Sequence, residues 1–370
     1  MRRFLLVLLA LALGGLPACA EASATPDNGS TEEVVELPSL KEIYADRFDV
    51  GICVGNRAAS QAEYMAFVES QFNILTAENE LKPDAVLDVG MSFVKAREDE
   101  TAVVVRFDAA KPILDYAKEH GMKVHGHVLV WHNQTPDVFF REGYRNSAPL
   151  VSREVMLARL ESYIAQIMEY MDENYPGVIV SWDVVNEAVD DTTGELRDSL
   201  WLQVVGEDYL ARAFEYARKY APEGTLLYYN DYNTAYFNKQ NGIVKLLEAL
   251  MAEGNIDGYG FQMHHGIATP TVKEIAASVE RIAKLGLKLR VSEWDITVPG
   301  NDEANFAKQA RMYGEIMKLL IDHADQFEAV QFWGLTDNLS WRASQYPLLF
   351  DADRNPKPAF WAVVDPESVE

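Results

Sequence analysis

From residue 40 onward, two hydrophobic periods alternate along the chain. Short apolar runs rich in β-branched and aromatic residues recur at Phe48–Val54, Phe72–Asn79, Lys123–Trp131, Val178–Glu187, Leu226–Asn233, Gly258–His264, Leu287–Ile296 and Ala329–Thr336, eight in all. Runs of that length and composition predict strands. Between them lie longer stretches with apolar residues at helical spacing, such as Arg153–Tyr175, Trp201–Tyr220, Lys239–Glu253, Thr271–Leu285 and Glu303–Asp325. Strands that alternate with helices imply parallel βαβ units. Eight such units in one domain predict an α/β fold, a single (β/α)8 TIM barrel. An open, doubly wound sheet is the alternative. No Gly-x-Gly-x-x-Gly follows the first strand, which argues against its dinucleotide-binding form.

The N-terminal residues follow a different pattern. Met1-Arg2-Arg3 precedes an apolar run from Phe4 to Leu16 that is too short to span a bilayer. Residues 1–20 therefore predict an export signal, and residues 21–39, rich in Ala, Ser, Thr, Glu and Pro, a flexible tether. Ala18-Cys19-Ala20 fits an ordinary cleavage site. Leu16-Pro17-Ala18-Cys19 also fits a lipoprotein box in which Cys19 carries the lipid, and this reading is favoured because a cysteine there is otherwise hard to explain. The expected localisation is thus cell-surface lipoprotein or secreted, with membrane contact only through that anchor. The barrel is expected over residues 40–370. Of the two cysteines only Cys53 falls within it, so stability must come from core burial and not from disulfides. With 48% hydrophobic residues there is ample material for that core. A net charge of -24 argues against nucleic acid as a partner.

Polar and aromatic residues gather at the C-terminal ends of the predicted strands. Glu78 and Asn79 end the second, His127 and Trp131 the third, and Asn186 and Glu187 the fourth. Asn230, Asp231 and Tyr232 end the fifth, Gln262 and His264 the sixth, Glu293 and Asp295 the seventh, and Trp333 the eighth. Barrel active sites are built on that face. Any one of these groups could be a packed or salt-bridged residue, but together they are costly for a core, because buried polar groups must be paired. Glu187 and Glu293 each end a strongly apolar strand, and the fourth and seventh strands face each other across a barrel mouth. Glycoside hydrolysis needs two such carboxyls on either side of the scissile bond. Trp131, Trp333 and Trp341 lie on strand ends or loops, where indoles can stack on sugar rings while Asn79, Lys82, His127, Gln134, Asn186 and Gln262 meet the hydroxyls.

Seven segments then resemble, in order, the motifs of glycoside hydrolase family 10, the endo-β-1,4-xylanase family. They are FNILTAENELK at Phe72–Lys82, HGHVLVWHNQ at His125–Gln134, WDVVNE at Trp182–Glu187, NDYN at Asn230–Asn233, GFQMH at Gly260–His264, SEWDI at Ser292–Ile296 and FWGLTDNLSW at Phe332–Trp341. The resemblance implies a (β/α)8 barrel, a retaining endo-β-1,4-xylanase acting on xylan and xylo-oligosaccharides, and neither metal nor cofactor. It makes Glu187 the acid/base and Glu293 the nucleophile, with Asn186 beside the nucleophile on the sugar 2-hydroxyl. Glu78, Asn79, Lys82, His127, Trp131, Gln134, Trp333 and Trp341 fall on the glycone side, and Tyr232 on the aglycone side. Gln262 and His264 flank the nucleophile, with Asp295 behind His264. Trp294 departs from the leucine usual in the family, Pro83 from a frequent tryptophan, and the charged stretch Asp84–Arg106 is expected to reshape the glycone side. A monomer is expected.

Two rival readings rest on other features. His125-Gly-His127 places two imidazoles on one strand face, where a metal-dependent hydrolase would hold an ion, with His132, His264 and His265 as further ligands. A non-catalytic glycan-binding protein would use the tryptophans alone and has no need of both glutamates.

Overall fold

Eight parallel strands close on themselves in this computed structural model, which describes residues 37–369. They are β1 (Asp49–Val54), β2 (Ile74–Ala77), β3 (Lys123–Gly126), β4 (Ile179–Asn186), β5 (Leu226–Asp231), β6 (Gly258–Phe261), β7 (Lys288–Thr297) and β8 (Phe327–Phe332). Each pairs with the next, and β8 pairs with both β7 and β1, opposing Phe327 to Leu289 and Asp49 to Ala329. The ring leaves no free sheet edge. After the strands come α1 (Ala62–Gln71), α2 (Lys111–Glu119), α3 (Arg153–Asn174), α4 (Tyr209–Tyr220), α5 (Phe237–Glu253), α6 (Val272–Ala283), α7 (Glu303–Asp322) and α8 (Pro358–Val364). The predicted export signal, the Cys19 anchor and the tether up to residue 36 lie outside the described residues. Among the described residues no helix is long and apolar enough to cross a membrane.

Local chemistry explains where the elements stop. Thr271 caps α6 with a reciprocal box in which Glu274 answers its backbone N–H. The single helix expected over Trp201–Tyr220 is two, Leu200–Val205 and α4, because Gly206 sits between them at φ 98. That conformation suits glycine and ends a right-handed helix. The strand expected over Lys123–Trp131 leaves the ladder after Gly126. It resumes as Val130–Trp131 beside Val185 and Asn186. The sixth strand stops at Phe261, since Met263 is left-handed at φ 56, and a short segment His264–Gly266 then runs along β7. Gly126 has a steric reason: a Cβ there would stand 2.3 Å from the indole of Trp182.

The barrel interior is polar and interlocked. Arg290 of β7 donates to Ser181 Oγ of β4 at 2.9 Å and to His125 Nδ1 of β3 at 2.5 Å, and it also bonds Gln331 of β8. His125 Nε2 lies 3.0 Å from Asp183 Oδ2, and His127 Nδ1 bonds the same oxygen at 2.9 Å. The two imidazoles of the H-x-H pair thus converge on one carboxylate with a guanidinium beside them, the opposite of a cation-ready cage. Burial and the Arg290 charge push the His125 pKa down to about 4, which keeps its ring neutral. Among the described residues no group of His, Cys, Asp and Glu side chains is arranged to hold a metal ion.

Candidate active site

At the C-terminal rim of the barrel lies a cleft of about 480 Å³. Its lining contains Glu78, Asn79, Lys82, His127, Trp131, Gln134, Asn186, Glu187, Tyr232, Gln262, His264, Glu293, Trp333 and Trp341. Every site residue expected from the sequence therefore meets in one place, apart from Asp295, which is fully buried behind His264. Asn133, Asn233 and Arg342 also line the cleft and were not anticipated.

The two carboxylates face different surroundings. Glu293 is 5% exposed. Asn230 donates to its Oε1 at 2.7 Å, and His264 Nε2 stands 3.1 Å from its Oε2. The other imidazole nitrogen, Nδ1, is 2.8 Å from Asp295 Oδ2. Only an imidazolium has a proton on both nitrogens, so two carboxylate partners favour the charged ring. Burial opposes that charge, but Asp295 and Glu293 prevail and raise the His264 pKa to about 9. Burial likewise works to raise the Glu293 pKa. The imidazoles of His127 and His264 outweigh it and hold the carboxyl below its ordinary value. Asp295 is itself held by Trp341 Nε1 at 3.0 Å and Arg342 Nη1 at 3.1 Å.

Glu187 is only partly buried. Trp131 Nε1 donates to its Oε2 at 2.9 Å and Gln262 Nε2 to its Oε1 at 2.9 Å. Its backbone is left-handed, φ 57, an uncommon conformation for a residue with a Cβ. The turn is held from both sides: Glu187 N–H donates to the Asn230 carbonyl at 2.9 Å, and Arg197 Nε donates to the Glu187 carbonyl at 3.1 Å. A chain of amides joins the two acids. Gln262 and Asn230 both donate to Asn186 Oδ1, at 3.0 and 3.1 Å, while each also donates to one of the glutamates. Ser292 Oγ donates to Asn230 Oδ1 at 2.6 Å, which fixes the flip of that amide.

On the β2–β3 side of the cleft, Lys82 is buried with its ammonium 5.1 Å from the Trp131 ring centre and 3.2 Å from Asn79 Oδ1. Burial raises the Glu78 pKa, with Lys82 opposing. The Asp84–Arg106 stretch reaches the cleft only at its start, where Asp84 N–H donates to the Gln134 carbonyl at 2.8 Å. Farther along, it packs on α3 and the loop before it: Arg159 binds Glu100, and Tyr144 donates to the Ala102 carbonyl. On the β4–β5 side, Tyr232 OH donates to Asp191 at 2.7 Å.

The sequence pattern of glycosyl hydrolase family 10 matches residues 39–366. The chain belongs to that family. It is 38% identical to endo-1,4-beta-xylanase A of Thermoanaerobacterium saccharolyticum over 90% of this chain, and 36% identical to an endo-1,4-beta-xylanase of Geobacillus stearothermophilus over 89%. The chain spans 28% of the length of the first relative and 98% of the second. Among solved structures it resembles an endo-1,4-beta-D-xylanase of Clostridium thermocellum complexed with xylohexaose, with a TM-score of 0.83 and 32% identity over 90% of this chain and 68% of that one. An intracellular xylanase of Thermoanaerobacterium saccharolyticum complexed with xylotetraose gives 0.80 and 36% over 89% of this chain and 98% of the other. The (β/α)8 architecture expected from the alternating pattern is the family's.

The family motifs contained signals for two of the missed residues. Asn133 and Asn233 lie inside motifs quoted for their neighbours. Arg342 follows Trp341 directly, but nothing in one sequence ties it to Asp295. Asn230 is visible as a strand end, whereas its bond to Glu293 requires β5 and β7 to be brought together inside the ring.

Proposed function

We propose that the chain is a retaining endo-β-1,4-xylanase, with Glu293 as nucleophile and Glu187 as acid/base. The observation that carries this is the asymmetry of the linked pair. Glu293 is buried, held by Asn230 and a charged imidazole, and kept ionised, as an attacking carboxylate must be. Glu187 is only partly buried, with Trp131 and Gln262 donating to it, and so can exchange a proton with water between half-reactions.

Glu293 attacks the anomeric carbon as the glycosidic bond breaks, and Glu187 protonates the departing oxygen. Water then attacks the glycosyl ester while Glu187 takes its proton, which frees Glu293 and returns a product of unchanged configuration. Asn186 would meet the hydroxyl beside the reacting carbon. Glu78, Asn79, Lys82, His127, Trp131, Gln134, Trp333 and Trp341 would hold the glycone, and Tyr232 the aglycone. Xylan and xylo-oligosaccharides are the substrates suggested by the relatives' names. Export through residues 1–20, with lipid on Cys19, and a monomeric state belong to the same reading. Metabolic labelling with a radioactive fatty acid, lost in Cys19→Ala, tests the anchor.

The decisive experiment follows xylohexaose hydrolysis by proton NMR. A β-anomer as first product supports the proposal, and an α-anomer refutes it. Glu293→Ala should abolish turnover of every substrate. Glu187→Ala should abolish it for xylan but spare glycosylation by activated aryl xylobiosides, whose leaving groups need no proton.

A further inference from the structure

Behind the turn that carries Glu187 is a buried ionic cluster to which neither the mechanism nor the family comparison assigns a role. Lys239, near the start of α5, is fully buried. Its ammonium donates to the Val189 carbonyl at 2.5 Å and stands 2.8 Å from Asp231 Oδ1 and 2.9 Å from Asp191 Oδ1. Three oxygens thus surround the ammonium, one of them the hydrogen-bonded Val189 carbonyl. Asp231 also accepts from Tyr229 OH, and the same hydroxyl accepts from the Ala188 N–H at 3.0 Å. Arg197 donates to the carbonyls of Glu187 and Val189 at 3.1 and 3.2 Å, and to Tyr232 OH at 3.2 Å. The Lys239 ammonium lies 4.4 Å from the Tyr232 ring centre.

Taken in order, the backbone groups of the turn are claimed one by one: the Glu187 carbonyl by Arg197, the Ala188 N–H by Tyr229, and the Val189 carbonyl by Lys239 and Arg197. A left-handed residue with a Cβ persists where its surroundings over-determine it. Glu187 and the two residues that follow it are thus all held, so the cluster fixes the direction of the Glu187 side chain. The same cations hold Tyr232 on the aglycone side, which makes the acid and that platform one rigid unit.

We infer that Lys239 and Arg197 are positioning residues for the acid/base: they hold the Glu187 turn left-handed and in register with Tyr232. The inference rests on the reading of Glu187 as acid/base. Its signature is a change in leaving-group dependence. A displaced acid slows departure of basic leaving groups and leaves acidic ones untouched, whereas a loosened fold or a lost Tyr232 platform slows all aryl glycosides of one size alike.

The test compares kcat/KM for phenyl and dinitrophenyl β-xylobiosides, which reports glycosylation alone, in the full chain with Lys239→Met and with Arg197→Met. Thermal melts confirm folding of each variant. Lys239→Met strands two carboxylates, so Arg197→Met, at a partly buried site, decides if the former does not fold. The phenyl substrate should slow about 30-fold and the dinitrophenyl substrate less than about threefold, a partial loss of the roughly 100- to 10,000-fold that general acid catalysis supplies. Arg197→Lys should restore part of the phenyl rate. Equal slowing of both substrates, or of neither, overturns the inference. A wild-type protein inactive on both substrates and on xylan would instead overturn the reading of the glutamate pair.

Discussion

Replacing His264 with asparagine should remove a specific pH dependence of stability. The ring is sandwiched between Asp295 at 2.8 Å and Glu293 at 3.1 Å, with its side chain 9% exposed. Its pKa rises from 6.5 to about 9. A shift of that size corresponds to roughly 3 kcal/mol of preference for the charged ring in the folded state. Because the folded value is the higher one, this stabilisation is fully present below pH 6.5, where both states are protonated. It is lost as the pH rises through about 9. In His264→Asn nothing titrates at that position, and groups remote from the ring cancel when the two proteins are compared. The difference in unfolding free energy between wild type and variant should therefore shrink by roughly 3 kcal/mol between pH 6 and pH 10, or roughly 5 °C in melting temperature for a chain of this size. Urea titrations of both proteins at each pH measure it, and nitrogen NMR of the imidazole gives the pKa directly. A difference that stays flat across the window, or a ring that titrates near its ordinary value, would refute the argument that both carboxylates share one imidazolium.

Trp131→Phe keeps a ring in the cleft but removes the N–H that donates to Glu187 at 2.9 Å. Roughly tenfold should be lost from kcat/KM on xylohexaose, in keeping with a hydrogen bond to a charged group, and steady-state kinetics will show it. Gly126→Ala forces a methyl to within 2.3 Å of the Trp182 indole. The resulting overpacking should destabilise the fold by roughly 1–3 kcal/mol or more, visible in urea midpoints. Prolonged dialysis against EDTA should leave xylan hydrolysis unchanged, since His125 and His127 already converge on Asp183 beside Arg290; activity lost and then restored by a divalent ion would revive the metal reading.

The alternation of β-rich runs with amphipathic helices was enough to indicate a barrel, because strand and helix periods depend on neighbours along the chain. Polar groups at the ends of apolar strands were enough to place Glu187 and Glu293 at its mouth. Local pattern failed where conformation was set elsewhere. Gly206 breaks a helix whose apolar spacing continues through it, and Met263 and Glu187 turn left-handed without being glycine. Those turns are held by groups distant in sequence, such as the Asn230 carbonyl that accepts from the Glu187 N–H. The same holds for chemistry. That Trp131 serves as a donor to Glu187, that Asn230 grips Glu293, and that Arg342 answers Asp295 are contacts between strands and loops 47 to 63 positions apart in the chain. A sequence determines which donors and acceptors exist and on which face of a strand they emerge. Which of them meet, and hence which carboxylate is kept charged and buried and which is left within reach of solvent, is decided only when the ring closes and brings those side chains together in a site of low dielectric.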